Sequence, residues 1–329
     1  MINKTESKYL LHEHGRGRDV NLKFIIKYFI LCILDVIYRI ICYIPTRKTD
    51  KEHKYEIGFC TIFKDESPFL KEWLDYHLLI GVEHFYLYNN NSSDNYLEIL
   101  TPYIDKGIVT LIEWPETPGQ LSAYKHWLTN YKDEVKWVSF LDVDEFYCPI
   151  KDINLKDWIK KYEKYPVLLV YWRFFGASSK IEHDDNSFVI EQYTSCEKKL
   201  IELGKQFYNT DYEIDENYIG IGIHHLLAVK KFGITIPPMN VYGHFVKWNI
   251  HRGSSKEVDM QLNHYNTKAF NCYAQKHKKG DSAFMSSWRS FHSFLLIEQG
   301  CRTKDYTIQR FLLQLKLQKE GIDPEQLFK

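Results

Sequence analysis

The chain has 329 residues, and its 43 lysines and arginines are balanced by 43 aspartates and glutamates, so the formal net charge is zero. This balance argues against a dedicated nucleic-acid binder, because such a domain is usually strongly basic. Hydrophobic residues make up 44% and charged residues 26% of the chain, as in globular proteins. A disordered chain and a polytopic membrane protein are therefore excluded as descriptions of the whole sequence.

The seven cysteines include no CxxC pair, and their number is odd. Neither a zinc ribbon nor a dense disulfide framework fits this spacing. We therefore expect reduced thiols and a cytoplasmic protein, with most cysteines buried as small hydrophobic side chains.

An N-terminal arm over residues 1–54 is predicted to contain an amphipathic helix. Its apolar segment includes the charged residues Lys27, Asp35 and Arg39. At about 100° per residue these charges share one side of a helix, and the other side is apolar. Asp35 and Arg39 are spaced for an i,i+4 contact.

This helix has three alternative placements: on a membrane surface, across the membrane as a single anchor, or packed on the protein's own body. A wide apolar face beside a narrow charged face favours the membrane surface. Charges in the middle of a membrane span are costly, which disfavours the anchor. We therefore expect peripheral membrane contact, with the other two placements left open.

From Tyr55 to the C-terminus we predict one large domain, 55–329, in which strands first alternate with helices. Apolar runs bounded by turn residues predict strands at 55–63, 82–89, 108–114, 136–146 and 166–172. Helical periodicity and capping signals predict helices at 68–79, 96–104, 120–130 and 154–164, and two more near 282–299 and 305–320. The alternation predicts an α/β fold with a Rossmann-like, mainly parallel sheet flanked by helices.

Ligands of such sheets bind at the carboxyl ends of the strands, where the acidic sequence Asp142-Val143-Asp144-Glu145 follows an apolar strand. Residues i and i+2 of an extended chain share a face, so Asp142 and Asp144 can point to the same spot. Two carboxylates suit Mg²⁺ or Mn²⁺, which are often held by one or two carboxylates and substrate phosphates. A solvated acidic turn is the alternative.

Polar clusters also follow the first two strands. Lys64, Asp65 and Glu66 are candidates for contacts to a phosphate, a base or a ribose hydroxyl, or for ordinary loop charges. Asn90 and Asp94 are candidates for hydrogen bonds to a nucleoside, or for capping the next helix.

Three later features carry weaker signals. Gln120 opens the helix after the third strand, where a structural role is the simpler interpretation. His264 is a candidate metal ligand, although a lone histidine is usually structural. The basic sequence KHKKGD at 276–281 is suited to a diphosphate, or to a solvated turn.

Together, the sequences IGFCTIFKDESPFLKEWLDYHLLIGVEHFYLYNNNSSD, KWVSFLDVDEF, WRFFGASS and LNHYNTKAF resemble glycosyltransferase family 92, also described as family 2-like glycosyltransferases. The resemblance spans about two thirds of the chain, with five motifs in family-like order and spacing. It implies a GT-A fold, a nucleotide-sugar donor, typically a UDP-sugar, and Mn²⁺ or Mg²⁺ on the DxD motif.

The family's motifs assign roles to individual positions: they imply nucleotide contacts at Lys64, Asp65, Glu66, Asn90, Asp94 and Lys279, metal ligands at Asp142 and Asp144, and a metal or diphosphate contact at His264. Gln120 belongs to none of these motifs and is a candidate cofactor contact through its position after the third strand alone. Asp65 replaces an asparagine of the family pattern, Asn89 an aspartate, and Lys279 the usual arginine. These departures fall on the nucleotide contacts and leave the metal motif intact.

The resemblance implies transfer of a sugar to a hydroxyl of a glycan or lipid-linked acceptor, with inversion, and Glu145 and His244 are candidate general bases. Two alternatives stay open. One is a metal-dependent phosphohydrolase or nucleotidyltransferase that uses the same carboxylates. The other is a non-catalytic glycan-binding protein, against which the intact DVDEF sequence argues.

Overall fold

The structure is a computed structural model, which describes residues 10–11, 21–45, 52–219, 226–253, 257–280, 289–323 and 326. The helices in this part are α1 (Leu22–Tyr43), α2 (Ser67–Leu79), α3 (Tyr96–Asp105), α4 (Gln120–Asn130), α5 (Leu155–Lys160), α6 (Val189–Gln192), α7 (Phe270–Lys279), α8 (Phe291–Gly300) and α9 (Leu312–Lys319). Short 3₁₀ helices span Lys132–Glu134 and Thr307–Phe311.

The strands in the described residues are β1 (Leu10–Leu11), β2 (Tyr55–Phe63), β3 (His84–Asn89), β4 (Val109–Glu113), β5 (Val135–Phe140), β6 (Glu145–Pro149), β7 (Val167–Phe174), β8 (Ser195–Cys196), β9 (Leu200–Asn209), β10 (Glu213–Ile219), β11 (Leu227–Lys231), β12 (Ile234–Thr235), β13 (Met239–Asn240), β14 (Met260–His264) and β15 (Thr303–Lys304). The predicted α/β alternation is confirmed.

Two segments differ from their prediction. The strand predicted at 136–146 is interrupted, because Glu145 N donates to Asp142 O at 3.0 Å and this turn reverses the chain into β6. The basic sequence that starts at Lys276 is the last turn of α7 rather than a loop. Of the helix predicted at 282–299, the part over 282–288 lies outside the described residues, and α8 forms the rest.

The main sheet has the order β4-β3-β2-β5-β9-β7-β14-β6, with β1 and β13 beside it. The strands β4, β3, β2 and β5 are parallel to one another, β9 is antiparallel between β5 and β7, and β14 is parallel to β7. The carboxyl ends of β2, β3, β4, β5, β7 and β14 therefore lie along one edge, which we call the carboxyl edge.

Both faces of the sheet are buried. The helix α2 covers one face with Leu70 and Trp73, and α4 covers the other with Tyr124 and Trp127. Near-continuous apolar strands such as β2 and β3 are typical of a parallel sheet covered on both sides. Much of the aromatic content is therefore core packing.

The helix α1 packs on the body of the protein. Asn21 caps it, with its side-chain oxygen accepting from Phe24 N at 2.9 Å. The buried residues of the helix are Leu31, Asp35, Tyr38 and Cys42. In the described part of the chain, no helix combines the length and the apolar character needed to cross a membrane. All seven cysteines are free thiols, as predicted.

Candidate active site

The acidic turn lies at the carboxyl edge, between β5 and β6. β5 is buried along nearly its whole length, so the turn that follows it begins in the protein interior. Asp142 keeps a partly exposed carboxylate, whereas the Asp144 side chain is 7% exposed and that of Glu145 is fully buried. The three carboxyl groups therefore meet different surroundings, and their roles differ accordingly.

Asp142 is held by Lys205, a residue that no sequence motif marks as functional. Its Nζ atom lies 2.9 Å from Asp142 Oδ2 and 3.4 Å from Glu145 Oε2. Burial alone lowers the pKa of Lys205, but the two carboxylates outweigh it and hold the pKa well above its usual value. The lysine is thus a buried, charged partner of the turn.

The position of Lys205 depends on the glycine before it. A Cβ atom at Gly204 would overlap the carbonyl group of Val170 on β7. Only glycine lets β9 approach β7 so closely at this point. The strand register shifts just beyond, between Tyr171 and Trp172.

The buried Glu145 side chain holds the turn in place through two hydrogen bonds. Its Oε1 atom accepts from Trp172 Nε1 at 2.6 Å, and its Oε2 atom accepts from Asp142 N at 3.0 Å. Burial raises the pKa of Glu145 to about 8, against the lowering effect of Lys205. Because both oxygens are engaged and buried, Glu145 holds the turn in place, and we do not retain it as the base that contacts an acceptor.

Asp144 faces the other side of the turn. It forms an ion pair with Lys276 of α7, and its Oδ2 atom lies 3.6 Å from His264 Nε2. Burial alone raises the pKa of Asp144, but Lys276 and His264 outweigh it and hold the pKa well below its usual range. The carboxyl group is therefore ionised and close to one imidazole, whose Nδ1 atom is buried without a hydrogen bond.

The three residues predicted as metal ligands are thus only partly brought together. Asp144 and His264 converge, whereas Asp142 is turned towards Lys205. Among the described residues, no group of three His, Cys, Asp or Glu side chains is placed as a metal cluster. Gln120 reaches the same turn from α4, with Nε2 at 3.5 Å from Asp142 Oδ1.

The loop after β2 reaches the same edge, with Lys64 exposed and Asp65 in a left-handed conformation. Asp65 Oδ1 accepts from Ser93 N at 2.6 Å, which joins this loop to the one after β3. Lys279 donates to the carbonyl oxygens of Lys64 and Asp65, and its Nζ atom lies 3.8 Å from Glu66 Oε1. The basic end of α7 is therefore anchored on this loop.

Asn90 and Asp94 bind other parts of the protein. Asn90 Nδ2 donates to the carbonyl oxygens of Trp114 and Glu116, each at 2.7 Å. Asp94 Oδ2 accepts from Ser67 N at 2.8 Å, so it satisfies the start of α2 rather than capping α3. Both side chains therefore position the loops of the carboxyl edge.

His244, the second predicted base, lies elsewhere. It follows β13, which pairs with Leu168 and Leu169 near the beginning of β7, whereas the acidic turn contacts Trp172 near its end. Burial, followed by the charge of Arg252, lowers the pKa of His244. The fold brings it towards α1 rather than the acidic turn, so we do not retain it as a base.

A cavity of about 240 Å³ opens between α7 and the loop after β2. Its lining includes carboxylates, amines and an aromatic ring, contributed by Asp65, Glu66, Phe69, Lys268, Lys276 and Lys279. Lys268 Nζ lies 3.8 Å from the centre of the Phe69 ring and 3.7 Å from Glu66 Oε2. Cationic groups of α7 and the preceding loop thus line a space beside the acidic turn.

Residues 53–295 match the model of glycosyltransferase family 92, so the chain belongs to that family. A glycosyltransferase family 92 protein of Ricinus communis is 26% identical over 267 residues, which are 79% of this chain and 43% of the relative. One of Arabidopsis thaliana is 26% identical over 72% of this chain and 39% of its own length. The chain thus spans about two fifths of the length of these curated relatives.

A galactan beta-1,4-galactosyltransferase of Arabidopsis thaliana, GALS3, is 28% identical over 36% of this chain and 27% of its own length. Among solved structures, Staphylococcus aureus TarS (residues 1–349) matches with a TM-score of 0.36 and 14% identity, over 67% of this chain and 62% of that chain. Glucosyl-3-phosphoglycerate synthase from Mycobacterium tuberculosis, in complex with Mn²⁺ and UDP, matches with a TM-score of 0.29 and 14% identity, over 48% and 57%.

Proposed function

We propose that the chain is a GT-A type glycosyltransferase that moves a sugar from a nucleoside diphosphate donor, such as a UDP-sugar, to a hydroxyl of a glycan or lipid-linked acceptor. The observation that carries the proposal is the contact between Asp144 and Lys276 at the carboxyl edge. It joins an acidic turn, suited to a cation, to a helix end that carries several lysines. Membership of glycosyltransferase family 92 supports the same assignment.

The lysines of α7 are suited to the leaving diphosphate. Lys276 and Lys279 reach the site from one helix face, and Lys268 enters the neighbouring cavity. Charged donors form the strongest hydrogen bonds to phosphate oxygens, and fixed cations stabilise negative charge that develops during the reaction. In the proposed reaction, the acceptor hydroxyl oxygen forms a bond to the anomeric carbon and gives up its proton, while the bond between the anomeric carbon and the diphosphate oxygen breaks. These cations stabilise the departing diphosphate.

A divalent cation, Mn²⁺ or Mg²⁺, fits this site with two protein ligands. Asp144 supplies an ionised carboxylate and His264 an imidazole nitrogen 3.6 Å away. Such ions are often bound through few protein groups, with substrate phosphates completing the shell. When bound, the ion would neutralise charge on the diphosphate. Asp142, which pairs with Lys205, would support the turn from the other side.

The other predicted contacts divide into two groups. Lys64, Asp65 and Glu66 lie on the loop that α7 contacts, where we propose that they meet the nucleotide. Asn90 and Asp94 act by positioning, because their side chains bind Trp114, Glu116 and Ser67.

An assay with a panel of nucleotide sugars and Mn²⁺ tests the proposal. Release of the nucleoside diphosphate, with the sugar recovered on an acceptor or as free sugar, is the expected result. Release of the nucleoside monophosphate would instead indicate a phosphohydrolase or nucleotidyltransferase. Absence of turnover with every donor, together with glycan binding, would indicate a non-catalytic protein.

A further inference from the structure

The helix α1 is attached to the protein by the face that carries Asp35, Leu31, Tyr38 and Cys42, and a wide apolar face points outward. Among the described residues, its exposed large apolar side chains are Leu22, Ile26, Phe29, Ile30, Ile33, Val36, Ile37, Ile40 and Tyr43. At 100° per residue they fall within an arc of about 140°. The stripe extends along the helix for about 33 Å. Such a continuous exposed apolar surface marks an interaction site.

The attachment explains this orientation. Asp35 Oδ1 accepts from Phe245 N at 3.0 Å and forms an ion pair with Arg252, and Asp35 Oδ2 pairs with Arg39 at 2.8 Å. Burial alone raises the pKa of Asp35, but the hydrogen bond from Phe245 and the two arginines outweigh it and hold the pKa below its usual value. Turning the helix over would separate this carboxylate from Phe245 N and Arg252, and would leave the mostly buried Arg252 guanidinium without its ion-pair partner, which is costly.

Positively charged residues lie beside the apolar stripe. Lys23 is exposed and Lys27 half-buried near the start of the helix, and Lys164 Nζ lies 3.8 Å from the centre of the Tyr43 ring at its end. The one acidic residue of α1, Asp35, is buried. A rim of this composition matches an anionic lipid surface, whereas a second copy of the chain would bring like charges together.

An aromatic side chain outside the helix extends the surface. The Trp248 side chain is 42% exposed, and the Nζ atoms of Lys27 and Lys247 lie 5.9 and 5.5 Å from the centre of its ring. Tryptophan beside lysine is the composition that concentrates at membrane–water interfaces. The loop after β13 therefore supplies a second element to the same side of the molecule.

We propose that the apolar stripe of α1, together with Trp248, is a docking surface for the interface of an anionic lipid bilayer. The helix lies in the interface plane and stays folded on the body, because the contacts of Asp35 hold it there. This inference does not depend on the glycosyl-transfer reaction.

Cosedimentation of the full chain with vesicles tests the surface. Vesicles of phosphatidylcholine with about one third phosphatidylserine should bind the protein, and phosphatidylcholine vesicles should bind it less, because the rim is basic. In the variant I33Q/I40Q we expect at least about a tenfold loss of vesicle partitioning. Trp248→Ser should weaken binding in the same direction. Both isoleucines are more than half exposed, so the fold is retained.

The matched control is I153Q/I181Q, which changes two isoleucines outside α1 that are at least as exposed as Ile33 and Ile40. This control should bind vesicles like the wild type. Unchanged binding of I33Q/I40Q, or no binding of the wild type, would overturn the proposal. A wild-type dimer that I33Q/I40Q converts to monomers would also overturn it and assign the face to a second copy. Release of nucleoside diphosphate from a soluble donor should be the same in both variants, which separates this test from that of the reaction.

Discussion

The ammonium group of Lys205 lies 2.9 Å from the Asp142 carboxylate, and the two residues are 63 positions apart in the chain. The lysine comes from the one strand that runs antiparallel within the centre of the sheet. It also lies 3.4 Å from the buried carboxyl group of Glu145. One cation thus offsets two carboxyl groups at the turn, which leaves Asp144 free to pair with α7 and His264.

Replacement of Lys205 by methionine should damage both stability and activity. Removing one partner of a buried ion pair typically costs about 3 to 5 kcal/mol, because the remaining charge is left uncompensated. Urea unfolding measures the cost, and assays of the folded fraction measure the activity. Lys136→Met is the control, since its partners are exposed and such pairs contribute about 1 kcal/mol or less. Equal stability of the two variants would contradict the proposed role.

Asn90→Ala should loosen the loop that precedes α4. The substitution removes two hydrogen bonds of 2.7 Å to the carbonyl oxygens of Trp114 and Glu116. We expect a loss of about 1 to 3 kcal/mol in the free energy of unfolding and a higher KM for the donor, with a smaller change in kcat. Asn130→Ala, at an exposed helix end, should leave both unchanged. A change in kcat alone would argue against a positioning role.

Glu72 should make stability depend on pH. It is buried, and its carboxyl group accepts from Val189 N and Ile190 N at 2.6 and 3.1 Å. Burial raises its pKa from 4.5 to about 7, against the lowering effect of these bonds. Between these values the folded state holds a proton that the unfolded state releases, so its contribution to stability is lost as pH rises.

The variant Glu72→Gln does not titrate at this position and serves as the reference. The free energy of unfolding of the wild type minus that of Glu72→Gln should fall by roughly 3 kcal/mol from below pH 4.5 to above pH 7. Urea unfolding at several pH values measures the difference. A difference that does not change with pH would show that burial leaves the pKa of Glu72 at its ordinary value.

Local patterns were enough to predict the elements of the parallel half of the sheet. Apolar runs, helical periodicity and capping signals each depend on a few neighbouring residues, and β2 and α4 have the predicted bounds. The motifs after β2, β3 and β5 lie at one edge, because parallel strands place their carboxyl ends together. This part of the site follows from sequence because it depends on strand direction alone.

Long-range packing decided what the sequence did not predict. Lys205 meets the acidic turn only because β9 is inserted between β5 and β7, and no local pattern predicts that insertion. Glu145 was a candidate base, and its buried hydrogen bonds from Trp172 Nε1 and Asp142 N argue against that role. The helix α1 was correctly predicted to be amphipathic, but periodicity cannot say which of its faces packs on the body of the protein. Buried partners for Asp35 decided that.

The most direct test of the proposed function is donor turnover by Asp144→Asn. The substitution removes the negative charge that pairs with Lys276 and lies beside His264. We predict that release of nucleoside diphosphate in the presence of Mn²⁺ falls by at least about a hundredfold, because the loss of one charge-stabilising group at an active site typically lowers the rate by that much. We expect the variant to remain folded. Asp75→Asn is the control, because this buried aspartate also pairs with a lysine, Lys71, away from the carboxyl edge. Full turnover by Asp144→Asn, with Mn²⁺ dependence unchanged, would contradict the account.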